Sequence, residues 1–321
     1  MLGEYPIWSW SYSRHQQFEK CKRMYYYNYY AYWNGWKDDV SEETKTLYRL
    51  KKLQNIYAVM GNAFQSAINQ AIFAKRDLIE IPSEQQLIQL IGQSLALVFE
   101  QSMNHAMWWK SPSKRTMLSE VYHDGKEAVP AAQIIQRVNQ CMQHFFTCWT
   151  WERLGLASDW ELIEVDDSTL PFKEPPIILG HPLYAKPDLL VHFKSSNEWL
   201  VVDWKTGKAD VSHMTQVALY AMYVHEVYRV PIEQIRVRVE YLLDGSAETF
   251  DVNALELAEV RQFVLKSAEM MQQLLEDKQK NRALPLEAFE ACSSSKTCAS
   301  CVFRTVCSAV HPTAMKPKST Y

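Results

Sequence analysis

Apolar residues recur at positions 53, 56, 57, 60, 64, 67, 68, 71 and 72, a helical period with one buried face, which predicts a helix over Leu53 to Phe73. From Pro82 to Trp160 the spacing stays mostly helical, with breaks at Pro112 and Pro130. The pattern changes at about Glu161. Leu162 to Val165, Ile177 to Leu179, Leu189 to Phe193 and Trp199 to Val202 are short β-type runs separated by turn residues. Helical spacing returns over Val211 to Tyr228. Ile235, Val237 and Val239 then alternate with Arg236, Arg238 and Glu240, as in a half-buried strand, and Asp244-Gly245 predicts a hairpin turn into Glu248 to Val252. A last helix is expected from Asn253, with Glu256 three residues on as a capping box, running to about Lys280. Lys37 to Lys45 and the tail from Cys292 read as loops, and no internal repeat is evident. The order of elements predicts an α/β core carrying a helical insertion.

The 321 residues suffice for one large domain or two modest ones, and 47% apolar content supports a packed core. A formal net charge of −3 argues against non-specific nucleic-acid binding by the whole surface and leaves room for a local basic groove. Met1 to Trp10 has neither a basic start nor a long apolar run, and no stretch reaches the ~18 apolar residues of a membrane span. A cytoplasmic protein without membrane contact is expected. There, clustered cysteines more often ligate metal than form disulfides. Of the seven cysteines, Cys141 and Cys148 lie on an apolar helical run and are expected in the core, whereas Cys292, Cys298, Cys301 and Cys307 crowd the C-terminal end.

The chemistry concentrates in Gly180-His181-Pro182-Leu183-Tyr184-Ala185-Lys186-Pro187-Asp188 and Val201-Val202-Asp203-Trp204-Lys205-Thr206-Gly207. Each acid borders a β-type run. If the runs pair as a hairpin, Asp188 and Asp203 point into one site, a donor set suited to Mg or Mn. Asp203 and Lys205, two apart, share a strand face, so the lysine sits beside the metal and can orient or help deprotonate a water. Gln216 and Tyr220, four apart on the following helix, share its face. An isolated D-x-K is common and Pro-Asp alone usually marks a turn; the ordered set carries the reading. His181 is expected on a strand or turn surface. Cys298-x2-Cys301-x5-Cys307 is a compact thiolate set whose fourth member is Cys292 or the distant Cys21. Spacing alone leaves zinc and an iron–sulphur cluster open, and composition favours zinc.

These residues resemble the PD-(D/E)XK nuclease superfamily, in particular its RecB-like branch of the iron–sulphur type, which includes CRISPR-associated exonucleases and AddB-type nuclease domains. The resemblance covers Gly180, Pro187-Asp188, Asp203-x-Lys205-Thr206-Gly207, Gln216-x3-Tyr220, the opening Ser11-Tyr12-Ser13-Arg14 through Cys21, Arg23 and the tyrosines, and the trailing cysteines. It implies a restriction-endonuclease-like mixed sheet flanked by helices, with Asp188 and Asp203 as ligands of Mg or Mn, Lys205 as catalytic lysine, and Gln216 and Tyr220 in support. It also implies Cys21, Cys298, Cys301 and Cys307 holding a 4Fe–4S cluster that clasps the two ends, with Cys292 left over. The branch carries G-x-x-x-H on an early helix; here Gly61-Asn62-Ala63-Phe64-Gln65 puts an amide at the histidine's place. Gln65 is thus the expected third metal ligand, a poorer donor than imidazole.

The implied function is metal-dependent DNA hydrolysis, as an exonuclease on single-stranded or frayed DNA in repair, recombination or CRISPR-type processing, with a helicase or repair protein as partner. The alternative is a catalytically weak DNA-binding scaffold, for which Gln65 speaks. No G-x-x-x-x-G-K-S/T loop marks an ATP-driven motor. Four regions are expected: 1–50 with the first cluster cysteine, 51–160 helical, 161–290 the nuclease core, and 291–321 the cysteine-rich end. Lys20, Lys22 and Arg23 beside five tyrosines form either a strand-binding platform or, as favoured, packing around the thiols. Arg236 and Arg238 read as a solvated face, and Lys316 and Lys318 say little.

Overall fold

The computed structural model describes residues 3–167, 174–210 and 213–309. Its centre is a five-stranded sheet of β1 (Trp160–Val165), β2 (Leu189–Phe193), β3 (Glu198–Lys205), β4 (Ile235–Tyr241) and β5 (Ser246–Asp251), in the order β5-β4-β3-β2-β1. The helices that matter for the site are α1 (Tyr12–Lys20), α2 (Ile56–Arg76), α3 (His213–Tyr228) and α4 (Ala254–Gln272). β1, β2 and β3 form an antiparallel meander, and β3 pairs in parallel with β4. A parallel neighbour needs a crossover, which α3 supplies. β4 returns to β5 through Asp244-Gly245, with Gly245 at φ +74°.

Both faces of the sheet are covered, so β2 and β3 read as nearly continuous apolar runs rather than alternating ones. Leu190, Val201, Val237 and Val239 pack under α3 and α4, together with Trp10 and Tyr25 from the N-terminal segment. Leu189, Val191, Leu200, Val202 and Trp204 face the other way, against α2 and the helices Glu84–Ser102 and Ala131–Thr147. Each such fully buried aliphatic side chain contributes about 1.5–3 kcal/mol of burial free energy. Pro130 is the N-cap of the Ala131–Thr147 helix, the break its sequence position predicts.

The N-terminal segment joins the core at two places. Trp10 and Ser11 pair in parallel with Leu183 and Tyr184, on a small hairpin of Ile177–Ile178 and His181–Tyr184. Its tight turn places Leu179 (φ 54°) and Gly180 (φ 78°) both in the left-handed region, which is where Gly180 is needed. His181 lies on the second strand, its ring 4.9 Å from that of Trp8. Arg14, 3% exposed, donates to the hydroxyls of Tyr25 (3.0 Å) and Tyr30 (2.9 Å) and to Ser9 O (2.9 Å), with Tyr29 beneath its guanidinium at 4.3 Å. A buried charge of this kind persists because every face of it is partnered.

Several boundaries differ from expectation. The polar stretch Lys37 to Lys45 is not all loop: Ser41 caps a helix at Glu42–Lys51 by accepting from Thr44 N. The helix expected from Leu53 starts at Ile56, because Leu53 and Gln54 pair with Met117 and Leu118 and Asn55 is the N-cap of α2. The capping box at Asn253 and Glu256 forms, yet α4 ends at Gln272 instead of near Lys280. The chain turns into a hairpin, Leu275–Asp277 with Arg282–Ala283, that buries Leu275 and puts Asn281 at φ 55°. The tail contains a short helix, Ser295–Ala299, capped by Ser294. Val211 at the predicted start of α3, and Lys316 and Lys318, lie outside the described residues. Among those described, no helix is long and apolar enough to cross a membrane.

Candidate functional site

β2 and β3 pair with Leu189 opposite Val202, so continuing the register by one residue sets Asp188 opposite Asp203. The strand period puts Asp203 and Lys205 on the face of Val201, beneath α3. Asp203 is 2% exposed. Asp188 keeps some contact with solvent, but packing around its carboxyl, and then the charge of Asp203, raise its pKa well above the usual carboxylate range. Its Oδ2 accepts from Trp204 N at 2.7 Å, which fixes the carboxylate against β3. Two acids held this close disfavour double ionisation, a penalty that a cation between them relieves.

Four side chains then close a ring of contacts. Lys205 Nζ lies 2.7 Å from Asp203 Oδ2 and donates to Gln216 Oε1 at 3.0 Å. Gln216 Nε2 donates to Tyr220 Oη at 2.7 Å, and Tyr220 donates to Asp203 Oδ1 at 3.1 Å. Burial, then the charges of Asp203 and Asp188, push the Tyr220 pKa far up, so its hydroxyl remains a donor at neutral pH. The ring forms because Gln216 and Tyr220 are four apart on α3 and present one face to the end of β3. The contact of Asp203 Oδ2 with Lys205 is an ion pair without hydrogen-bond alignment, so this buried oxygen has no hydrogen-bond partner. Asp203 Oδ2 is thus held by the ammonium alone, an anionic oxygen of the kind that a divalent cation also binds.

Gln65 reaches the first acid by its main chain. Its Nε2 donates to Asn69 Oδ1 (2.9 Å) and to Asp188 O (3.4 Å), while Asn69 donates to Asp166 O at 2.7 Å. The amide nitrogen is thereby engaged, which leaves the carbonyl oxygen as its one metal-capable atom. Gly61 faces the end of β3, where an added Cβ would sit 4.0 Å from Thr206 Oγ1, an ordinary contact. Asn69, Asp166 and Lys186 escaped the reading of the sequence. Asp166 pairs with Lys186 at 2.8 Å, and its main-chain N donates to Asp188 O at 3.1 Å. The available signals were positional: Asn69 is one helical turn beyond Gln65, and Lys186 precedes Asp188 by two.

The ring opens onto a cleft of about 580 Å³. Lys186, Lys205 and His213 share its lining with Ser11, Ser13 and Gln16 of the α1 start, so residues far apart in sequence build one wall each. A larger open groove of about 760 Å³ on the helical insertion is lined mainly by amides, among them Gln85, Gln89, Gln136 and Gln140, and holds no comparable donor set.

The thiols gather at a second place. Cys21, Cys292, Cys298, Cys301 and Cys307 line one small pocket, although Cys21 comes from the start of the chain. Burial raises the Cys301 thiol to about 11, the sulphurs of Cys21, Cys307 and Cys298 adding to the shift. Cys292, left over by the family resemblance, is not remote: its N–H donates to Cys21 Sγ at 3.4 Å and its Sγ lies 3.9 Å from Cys298 Sγ. All five are free thiols, and among the described residues no three His, Cys, Asp or Glu side chains stand in a metal-holding group. Cys141 is buried in the core, and Cys148 is partly buried with its thiol raised to about 12 by burial.

The tyrosines beside Arg23 pack inward. Tyr25, Tyr27 and Tyr30 are buried, Tyr27 lies 5.4 Å from the ring of Phe303, and Arg23 donates to Phe289 O at 2.7 Å. Tyr27 packs against the thiol pocket, whereas Tyr25 and Tyr30 close around Arg14. Arg236 pairs with Glu198 and Asp251, and Arg238 with Glu240. No curated protein matches the chain. The model of the PD-(D/E)XK nuclease superfamily matches it over residues 9–308, from the strand that meets Leu183 to the last cysteine of the thiol pocket, and the chain belongs to that superfamily.

Proposed function

We propose that the chain is a Mg- or Mn-dependent deoxyribonuclease acting as an exonuclease on single-stranded or frayed DNA, in repair, recombination or CRISPR-type processing beside a helicase or repair partner. The observation that carries the reading is Asp188 facing Asp203 across β2 and β3, with Lys205 2.7 Å from the second acid at the mouth of a cleft. In this reading Asp188, Asp203 and the carbonyl oxygen of Gln65 hold the divalent ion. When bound, the ion supplies Lewis acidity toward the phosphate and makes a nearby water more acidic. Lys205, held between Asp203 and Gln216, would orient or help deprotonate the attacking water, with Gln216 fixing the direction of its ammonium. Tyr220 holds Asp203 in its ligating rotamer, and Lys186 and His213 offer the backbone of the strand a polar wall. In the same reading Cys21, Cys298, Cys301 and Cys307 hold a 4Fe–4S cluster whose role is to clasp the ends of the chain.

The test is digestion of end-labelled linear single strands, circular single strands and blunt duplex by anaerobically purified protein with Mg, Mn or EDTA. Linear strands should shorten from one end, circles should survive, and EDTA should stop the reaction. Cut circles would make the enzyme an endonuclease, and no cleavage with either metal would defeat the reading. Tyr220→Phe removes the hydroxyl that anchors Asp203, so the metal concentration for half-maximal cleavage should rise about 10- to 100-fold. A Mn titration reads this directly; an unmoved midpoint would mean that Asp203 is held without the tyrosine.

A further inference from the structure

The cleft beside Asp203 and Lys205 carries one side chain that hydrolysis itself leaves without a task. Tyr184 lines this cleft and is 39% exposed, whereas Leu183 next to it is fully buried. The contrast follows from the strand period: His181–Tyr184 turns Leu183 to the core and Tyr184 away from it. Among the described residues, Trp36, Tyr57, Phe99 and Trp149 are about as exposed, and none of them lines the cleft. The backbone under Tyr184 is held. Ser11 pairs with Tyr184 and Trp10 with Leu183, and Trp10 is itself fully buried, so the strand cannot shift without unseating a core residue.

Lys186 and Lys205 line the same cleft. An exposed ring among cations is the combination that holds a single strand: the cations track the phosphates, and the ring takes a base of any identity, because every base has a π-face. Tyr184 precedes Asp188 by four residues, a chain length that spans at most about 14 Å, so a base on its ring belongs to a nucleotide close to the scissile phosphate. We propose that Tyr184 is the base-stacking residue of the cleft, seating one nucleobase of a single strand within a few nucleotides of the cut. The proposal rests on the reading of Asp188 and Asp203 as a DNA-hydrolysing site and adds to it a contact with a base.

The experiment measures kcat/KM in Mn for the parent, Tyr184→Ala and Tyr184→Phe on end-labelled single strands. One strand is intact, and the others each carry a single abasic nucleotide at successive positions from the end. In the parent, one abasic position should lower kcat/KM by about 5- to 100-fold. Tyr184→Ala should show a loss of that size on the intact strand and no further loss at that abasic position. Tyr184→Phe keeps the ring and should restore the positional pattern of the parent. If the abasic loss in Tyr184→Ala is as large as in the parent, the base is seated by other groups and the tyrosine assignment is wrong. A parent that cuts but tolerates abasic nucleotides at every position would overturn the assignment as well, with the hydrolytic reading intact. A parent that cuts no strand with Mg or Mn would instead defeat that reading, and the base-stacking role with it.

Discussion

Asp203→Asn should lower metal-dependent cleavage by about three orders of magnitude while leaving the protein folded. Asparagine has nearly the shape of aspartate and can still accept the Tyr220 hydroxyl now bonded to Oδ1. What it removes is the charge beside Asp188 and the anionic oxygen 2.7 Å from Lys205, replaced by an NH2 that meets the ammonium donor to donor. Metal binding should weaken along with rate, as read by calorimetry with Mn. Lys205→Met is the complementary case. It keeps a stem of similar length but no ammonium, so metal affinity should persist while the single-turnover rate falls about 10²- to 10³-fold. The thermal midpoint of Asp203→Asn should stay level or rise, because one of two crowded carboxylates is removed, whereas that of Lys205→Met should fall, because both acids lose their neighbouring cation. Cleavage persisting at parental rates in both variants would remove these groups from the mechanism.

Why so much of this site could be read from the sequence, and some not, comes down to the range of the forces involved. Asp203 and Lys205 are set on one face by the two-residue strand period, and Gln216 and Tyr220 by the helical one. Such local rules hold whatever the rest of the chain does. The β1-β2-β3 meander arises from short apolar runs separated by turns. The closing of the ring, Lys205 to Gln216, depends instead on how α3 lies across the end of β3, a packing outcome that no local pattern encodes. The same holds for Arg14. Its sequence position says nothing of burial, yet three tyrosines fold over it and make it a core group. Cys292 is the sharpest case, since the resemblance set it aside and tertiary structure brings its sulphur into contact with Cys298. At α4 the failure was of a different kind: helical spacing past Gln272 is outweighed by the pairing of Leu275 with Ala283, a contact made within ten residues but invisible to periodicity.

If the thiol pocket holds the proposed cluster, removing its ligands should have the largest effect on stability. The double variant Cys21→Ala/Cys307→Ala deletes sulphurs from both ends of the chain, and its thermal midpoint should fall by about 5–10 °C with loss of bound metal. Closing so long a loop adds little through entropy, which grows only logarithmically with loop length, so under the proposed metal occupancy the loss would be mainly that of the metal–thiolate bonds. The damage should be local. The pocket sits on a small apolar cluster of Tyr27, Leu47, Leu50, Leu53, Trp108, Met117 and Phe303, separate from the two clusters on the faces of the sheet. Trp10 is held independently, by pairing with Leu183 and by its Nε1 donating to Ser267 Oγ at 2.9 Å, and Arg14 keeps its tyrosines. Hydrogen exchange should therefore accelerate in residues 22–31 and 295–307, while β2, β3 and β4 keep their protection. Because Ser11, Ser13 and Gln16 precede the clasp and are anchored through Trp10, the cleft wall should survive and the folded fraction should still cut DNA. Exchange that rises equally in the sheet and in the ends would instead make the thiol site part of the global folding unit, and would tie catalysis to its occupancy.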